Sequence, residues 1–309
     1  MNVLVTGGAG FVGTALIPQL LAAGHQVTVL DCLLYGGEQT LPFFQHPGFR
    51  FKRGDIRNLP DVQDAVRDQD IIIHLAAIVG YPACKADPTL AEQVNVQGAR
   101  NLASACSKEQ RVLFGSTGSN YGVVDGICTE DTPLNPLSHY GRTKTIAESI
   151  LLERENTTAF RFATAFGVSP RMRLDLLVND LTYQAVRQGY LVIYERHFKR
   201  TFIHVRDMGR AFLLAVSEPE KMQGVLNIGS EKLNYSKEHI CELIRAQTGC
   251  YVHYADVGED ADKRDYIVSY EKARRAGFDT TVSIEDGIAE LKASFAVLGP
   301  TNPYSNVRS

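Results

Sequence analysis

Residues 6–13 read Thr-Gly-Gly-Ala-Gly-Phe-Val-Gly, directly after the apolar run 2–6 and directly before a helix-length segment. Few folds accept a strand that turns into a helix over three spaced glycines. Gly7 permits the tight turn, Gly10 lets backbone N–H groups approach a diphosphate, and Gly13 lets the new helix lie close against the strand. At the first βα turn of a chain, the pattern predicts a parallel α/β sheet that binds a dinucleotide at its carboxyl edge.

The first half of the chain repeats this texture. Short β-rich runs at 2–6, 26–30, 50–52, 70–75, 111–115 and 159–163 alternate with helix-length segments, which implies parallel crossovers and a doubly wound sheet. The runs 27–30 and 71–75 are nearly all apolar, as strands covered on both faces should be. A Rossmann-type domain is therefore expected over residues 1–167. Beyond it lie a basic, Pro-containing stretch at 169–173, a helical stretch near 175–188 and further short elements. These predict a smaller C-terminal α/β lobe over 168–309, with the chain rejoining the first domain over about 205–229.

Bulk properties exclude several classes. With 309 residues, 44% hydrophobic content, 22% charged residues and a net charge of -3, neither disorder nor a basic nucleic-acid-binding surface is indicated. No apolar run reaches the about 18 residues that a membrane span needs. Six cysteines show neither a C-x-x-C pair nor metal-ligand spacing, and no leader-like segment follows Met1, so a reduced cytoplasm and no metal are expected.

Asp31 closes the second strand, where a carboxylate accepts hydrogen bonds from the adenosine ribose and repels a 2′-phosphate; NAD is favoured over NADP. Gly54-Asp55-Ile56 and His74-Leu75-Ala76-Ala77 close the third and fourth strands at the same edge. Asp55 there can meet the adenine amino group or merely cap its own loop. Tyr140 and Lys144 stand four apart at the start of a helical stretch, which puts both on one helix face. A lysine ammonium beside a phenol favours the phenolate, and such a tyrosine takes a proton from an alcohol as hydride leaves. The fifth strand runs into Ser116-Thr117-Gly118-Ser119-Asn120, a hydroxyl-rich loop from which Thr117 can bond the reacting oxygen and pass its proton to Tyr140.

Taken together with V-N-V-Q-G-A-R-N-L from Val94, Y-G-R-T-K at Tyr140, R-F-A-T-A-F-G from Arg161, R-T-F-I-H-V-R-D from Arg200 and N-I-G from Asn227, the chain resembles the extended short-chain dehydrogenases that epimerise, dehydrate or reduce nucleotide sugars. The resemblance implies Thr117, Tyr140 and Lys144 as the catalytic set. It implies NAD contacts from Gly7, Gly10, Phe11, Val12 and Asp31, from Asp55, Ile56, Leu75, Ala76, Ala77 and Asn95, and from Tyr140 and Lys144. Substrate contacts are implied for Thr117, Ser119, Thr164, Asn179, Arg200 and Arg264, the two arginines suiting phosphate. Homodimers through the helix near 90–107 and the helix of Tyr140 are implied as well.

Two departures bear on the reaction. Family members that eliminate water across C5 and C6 carry an acidic pair just after the Ser/Thr, whereas this chain has Gly118 and Ser119; the cysteine common in enzymes that invert C3 or C5 is missing at Ser119 too. Thr164 replaces an asparagine used near the substrate phosphates. The loop 78–84 is unusual, and its Cys84 either faces the sugar or fills core. Ser169-Pro170-Arg171-Met172-Arg173 either meets phosphate or carboxylate or is a solvated loop. The expected activity is 4-epimerisation of a nucleoside-diphosphate sugar with tightly held NAD. A 4-ketoreductase using NAD(P)H is the alternative, followed by a 4,6-dehydratase and a non-catalytic NAD-binding scaffold.

Overall fold

A computed structural model describes residues 1–124, 126–255, 267–298 and 306. From the N-terminus, β1 (Asn2–Thr6), α1 (Phe11–Ala22), β2 (Gln26–Asp31), β3 (Phe49–Arg53), α2 (Leu59–Val66) and β4 (Ile71–His74) alternate. Then α3 (Tyr81–Ala86), α4 (Pro88–Glu92) and α5 (Gly98–Ala105), the last two joined by a π-helical turn at Gln93–Gln97, lead to β5 (Arg111–Thr117). Next come β6 (Ile127–Cys128), α6 (His139–Leu152), β7 (Thr157–Phe162) and β8 (Thr164–Phe166). The remainder comprises α7 (Leu177–Gln188), β9 (Tyr190–Ile193), β10 (Lys199–His204), α8 (Val205–Ser217) and β11 (Gly224–Ile228), then β12 (Asn234–Ser236), α9 (Lys237–Thr248), β13 (Tyr251–Tyr254), β14 (Ile267–Val268), α10 (Glu271–Arg275) and α11 (Ile284–Ser294).

The main sheet has seven strands in the order β11-β7-β5-β4-β1-β2-β3, all pairs parallel. Strand order reverses between β1 and β4, and the crevice at their carboxyl ends is where such sheets bind ligands. Side chains alternate across each strand, so adjacent residues feed two separate cores. On one face Val3, Val5, Ile73, Leu113 and Phe160 pack with Leu16, Ile17 and Leu20 of α1 and with Phe212 and Ala215 of α8. On the other, Leu4, Ile72, Val112 and Phe114 pack with Ala99 and Leu102 of α5 and Ala147 and Leu151 of α6. The unbroken apolar runs are thus the signature of a sheet clothed on both sides.

A third core forms the lobe: Val178 and Leu181 of α7, Ile240 and Ile244 of α9 and Ile288 and Leu291 of α11 close on Phe166 and Phe202. Small sheets β12-β10-β8 and β13-β9 complete it. The element boundaries move by a residue or two from the sequence expectation. Ser116 and Thr117, expected in a loop, finish β5, because both continue the pairing with β7.

Asp207, in the first turn of α8, ties the core under α1 and α8 to the lobe core through the segment before α11. It is fully buried. Its Oδ2 accepts the backbone N–H groups of Thr281 (2.9 Å) and Val282 (3.1 Å), and its Oδ1 accepts from the Thr281 hydroxyl (2.8 Å) and Arg210 Nη1 (2.7 Å). Asparagine has one acceptor oxygen and must turn its amide NH2 towards one of these donor groups. Asp207→Asn should therefore cost about 2–3 kcal/mol, seen as a lower urea midpoint at unchanged slope; an unchanged midpoint would remove Asp207 from this linking role.

Candidate active site

The crevice at the switch point is a cavity of about 310 Å³, walled by the β1–α1 turn, the ends of β2, β3, β4 and β5, the start of α6 and the segment after β8. That volume lies at the lower end of the range usual for ligand sites. Gly7 adopts φ +71°, and a Cβ there would stand 2.6 Å from the backbone nitrogen of Ala76; at Gly13 it would stand 2.5 Å from the carbonyl oxygen of Gly8. Only glycine lets β1, β4 and α1 approach this closely. The turn therefore has the geometry to cradle a diphosphate, with Gly10, Phe11 and Val12 in the wall.

Asp31 ends β2 beside the turn. It accepts the Ala9 N–H at 3.0 Å and the Leu33 N–H at 2.8 Å, and burial raises its carboxyl above the ordinary value against the pull of those two bonds. Asp55 and Ile56 also line the cavity, but the Asp55 carboxylate is clamped by Arg57 (Nη2 to Oδ2, 2.6 Å), whose hydrogen bonds lower its pKa. Leu75, Ala76 and Ala77 form the wall after β4. The preceding His74 ring contacts Thr6 Oγ1 at 2.7 Å, and burial, with Lys144 nearby, pushes its pKa down to about 3, so it remains neutral.

On the opposite side, Ser138 caps α6 by accepting the Gly141 N–H at 3.0 Å, which starts the helix one residue before Tyr140. Tyr140 and Lys144 line the cavity together with Thr117 and Ser119. Thr117 Oγ1 is 3.2 Å from Ser119 Oγ and accepts the Ser119 N–H at 3.2 Å. Lys144 is 3% exposed, its Nζ 4.0 Å from the centre of the Phe114 ring. Burial lowers it from 10.5 to about 7, against the pull of Glu148 and Cys84.

Glu148 continues the helix face of Tyr140 and Lys144 by one more turn and anchors a buried polar network that sequence reasoning missed. It accepts from Ser116 Oγ (2.5 Å) and Asn120 Nδ2 (3.1 Å), and pairs with Arg161 (Nη2 to Oε1, 2.6 Å). Arg161 also donates to the Tyr121 hydroxyl (3.0 Å), which donates to Asn227 Oδ1 (2.6 Å). The spacing 140, 144, 148 was the available signal.

Several expected contacts prove otherwise engaged. Asn95 is buried in the π-helical turn, where Oδ1 accepts the Ile78 N–H (2.8 Å) and Nδ2 donates to the Ile78 carbonyl and Thr143 Oγ1 (3.0 Å each); it braces the loop after β4 against α6 and does not line the cavity. Asn179 is fully buried, with Oδ1 on the Gly167 N–H (2.9 Å) and Nδ2 on the Gly167 (3.0 Å) and Arg173 (2.9 Å) carbonyls, so its amide holds the segment after β8. Cys84 is core: burial pushes its thiol up to about 12. Thr164 lines the main cavity and also an adjoining cavity of about 20 Å³ that contains Arg200. Arg264 lies outside the described residues. Arg171 and Arg173 both line the main cavity, so the basic stretch is not a solvated loop. Among the described residues no helix is long and apolar enough to cross a membrane, and no group of three His, Cys, Asp or Glu could hold a metal ion.

Comparison with known proteins agrees with this geometry. A model of the NAD dependent epimerase/dehydratase family matches residues 3–229. The low-salt glycan biosynthesis protein Agl12 of Haloferax volcanii is 33% identical over 304 residues, covering 93% of this chain and 96% of that protein. A dTDP-glucose 4,6-dehydratase of Streptomyces griseus is 29% identical, covering 94% and 93%. The crystal structure of a UDP-glucose 4-epimerase of Thermus thermophilus in complex with NAD superimposes with a TM-score of 0.85 at 25% identity, covering 96% of this chain and 99% of that one.

The state of Lys144 generates a stability prediction. Its proton is held less tightly in the fold than in the unfolded chain, so the charged amine burdens the fold fully below about pH 7, and the burden fades as pH rises from about 7 towards 10.5. Lys144→Met should raise the Tm of the ligand-free protein at about pH 6, with the gain shrinking towards about pH 10. Turnover should fall about 100-fold or more. A Tm that drops at the lower pH would contradict the burial of a charge at this position.

Proposed function

Because the chain belongs to the NAD-dependent epimerase/dehydratase family, as an NAD-dependent enzyme of nucleotide-sugar chemistry, we propose that it is a nucleoside-diphosphate-sugar 4-epimerase. The observation that carries this reading is the distribution of acids in the cavity. Among the described residues, the carboxylates lining it are Asp31, at the end of β2, and Asp55, just after β3. The end that holds Thr117, Ser119 and Tyr140 has none. Elimination across C5 and C6 needs an acid and a base at that end. Reversible oxidation at C4 needs only a proton carrier beside the sugar.

Tyr140 is that carrier, taking the proton of the C4 hydroxyl directly or through Thr117 and returning it after the 4-keto sugar has turned over. Lys144 steadies the phenolate and holds the nicotinamide ribose; its burial gives its charge a strong effect on the neighbouring phenol. Bound NAD supplies the acceptor for the C4 hydride and the donor that returns it. Arg200, with Thr164 at the shared wall of the adjoining cavity, is assigned to the substrate diphosphate. Residues 168–309 are read mainly as the substrate lobe, with about 205–229 returned to the cofactor domain. A homodimer through α5 and α6 is part of the same proposal, and the exposed Ile146 on α6 supports it.

Incubation with a panel of sugar nucleotides and catalytic NAD should yield a product of unchanged mass and shifted chromatographic position. Loss of water would make the enzyme a dehydratase, and turnover of a 4-keto sugar only with stoichiometric reduced cofactor would make it a ketoreductase. Tyr140→Phe should lower kcat about 10³-fold while the purified protein retains its NAD. Near-normal turnover in that variant would overturn the assignment of Tyr140.

A further inference from the structure

Four cations line the cavity among the described residues: Arg57, Lys144, Arg171 and Arg173. Arg57 is paired with Asp55 at 2.6 Å and Arg173 with Asp175 at 2.5 Å. Lys144 lies one helical turn from Tyr140 and within the field of Glu148. Arg171 differs from all three. It is 4% exposed, its Nη1 donates to the Met172 carbonyl at 2.9 Å, and its Nη2 is buried with no hydrogen-bond partner. Its guanidinium lies 4.5 Å from the centre of the Tyr35 ring. A guanidinium keeps its proton inside a protein, so a buried N–H group without an acceptor is costly unless a ligand completes it.

The placement of Arg171 indicates which ligand. The Arg171 backbone N–H donates to Thr14 Oγ1 at 3.3 Å, and the Ser169 hydroxyl contacts Thr14 Oγ1 at 2.8 Å and donates to the Phe11 carbonyl at 2.7 Å. The segment is thereby pinned to the first turn of α1, the helix whose N-terminus faces a dinucleotide's diphosphate. Tyr35 comes from the loop that begins at Asp31, where the adenosine ribose is held. Thr117 ends β5, Tyr140 lies at the start of α6 and Thr164 begins β8 just after β7, on the other side of the switch point.

We infer that Arg171, backed by Tyr35, is a clamp on the diphosphate of the bound NAD, so that a segment outside the glycine turn locks the cofactor in place. Oriented N–H groups of the turn supply partial charges, and Arg171 adds a full cation that feels the field of Asp175 but, among the described residues, makes no ion pair with a carboxylate. Charge-assisted bonds of a planar fork to phosphate oxygens are among the strong ones. A lock of this kind suits an enzyme that ends each cycle with its cofactor in the starting state. The inference rests on the use of NAD and not on which sugar reaction follows.

Binding to the full-length chain, stripped of cofactor and titrated by calorimetry, tests it. Arg171→Met should raise the Kd for NAD and for ADP-ribose about tenfold to 100-fold, and should lower the NAD recovered with the purified protein. The Kd for UDP at saturating NAD should change less than about twofold. Arg171→Lys keeps the charge and the stem without the fork. It should fold even if the methionine variant does not, and should weaken ADP-ribose about threefold or more. Unchanged affinity for NAD and ADP-ribose in either folded variant would overturn the clamp. Weakened UDP with intact NAD affinity would also overturn it, assigning Arg171 to the substrate diphosphate instead. Because the readout is binding, a turnover assay that favours reduction over epimerisation leaves this result standing, and a failed clamp leaves the sugar chemistry standing.

Discussion

The buried pair between Glu148 and Arg161 is the interaction on which the geometry of the Tyr140 end of the cavity depends. Both side chains are almost completely buried, a setting in which an unpaired ion is strongly destabilising. Burial is tolerable because the ions meet at 2.6 Å and nearly every remaining valence finds a partner in Ser116, Asn120, Tyr121 or the Glu130 carbonyl. The pair joins α6 to β7, and its partners come from β5, the turn after it and the segment after β6. One pair thereby fixes the helix of Tyr140 and Lys144 against the strand that ends in Thr117. The same carboxylate also supports the charge on Lys144, against a burial that would strip it of its proton.

The two halves of the cavity follow different physical rules. Around the glycine turn the wall is backbone, held by close approach: a Cβ at Gly7 or Gly13 would collide with main-chain atoms. At the opposite end the wall is made of side chains carrying hydroxyls and an amine. The first half is shaped by main-chain packing, and the second by side chains able to exchange protons.

Much of this was legible in sequence because it is local. The run 2–6 became β1 with the same limits, the glycines stand where β1 meets α1, and the four-residue spacing of Tyr140 and Lys144 put both on the cavity wall. What escaped depends on distance between segments. Glu148 looks like an ordinary helix glutamate until Arg161 is folded against it. Asn95 and Asn179 have the chemistry of ligands, but their amides are taken up by backbone groups of Ile78, Gly167 and Arg173, a use that no spacing reveals. The basic stretch at 169–173 was ambiguous for the same reason, since its setting is decided by contacts with Thr14 and Phe11, more than a hundred residues away.

The place of α8 has a consequence for how the molecule comes into being. This helix lies on α1, with Gly209 admitting Gln19, and its Phe212 ring sits 5.2 Å from Phe160 and 5.4 Å from Phe162. It therefore completes the cover over one face of the cofactor sheet, yet it is made only after α7 and β10 of the lobe. During synthesis the early strands leave the ribosome long before the element that shields them, and β11, the last strand of the sheet, follows later still. The nascent chain must carry a partly bare apolar surface through that interval, the period in which such surfaces are most prone to aggregate or to engage a chaperone.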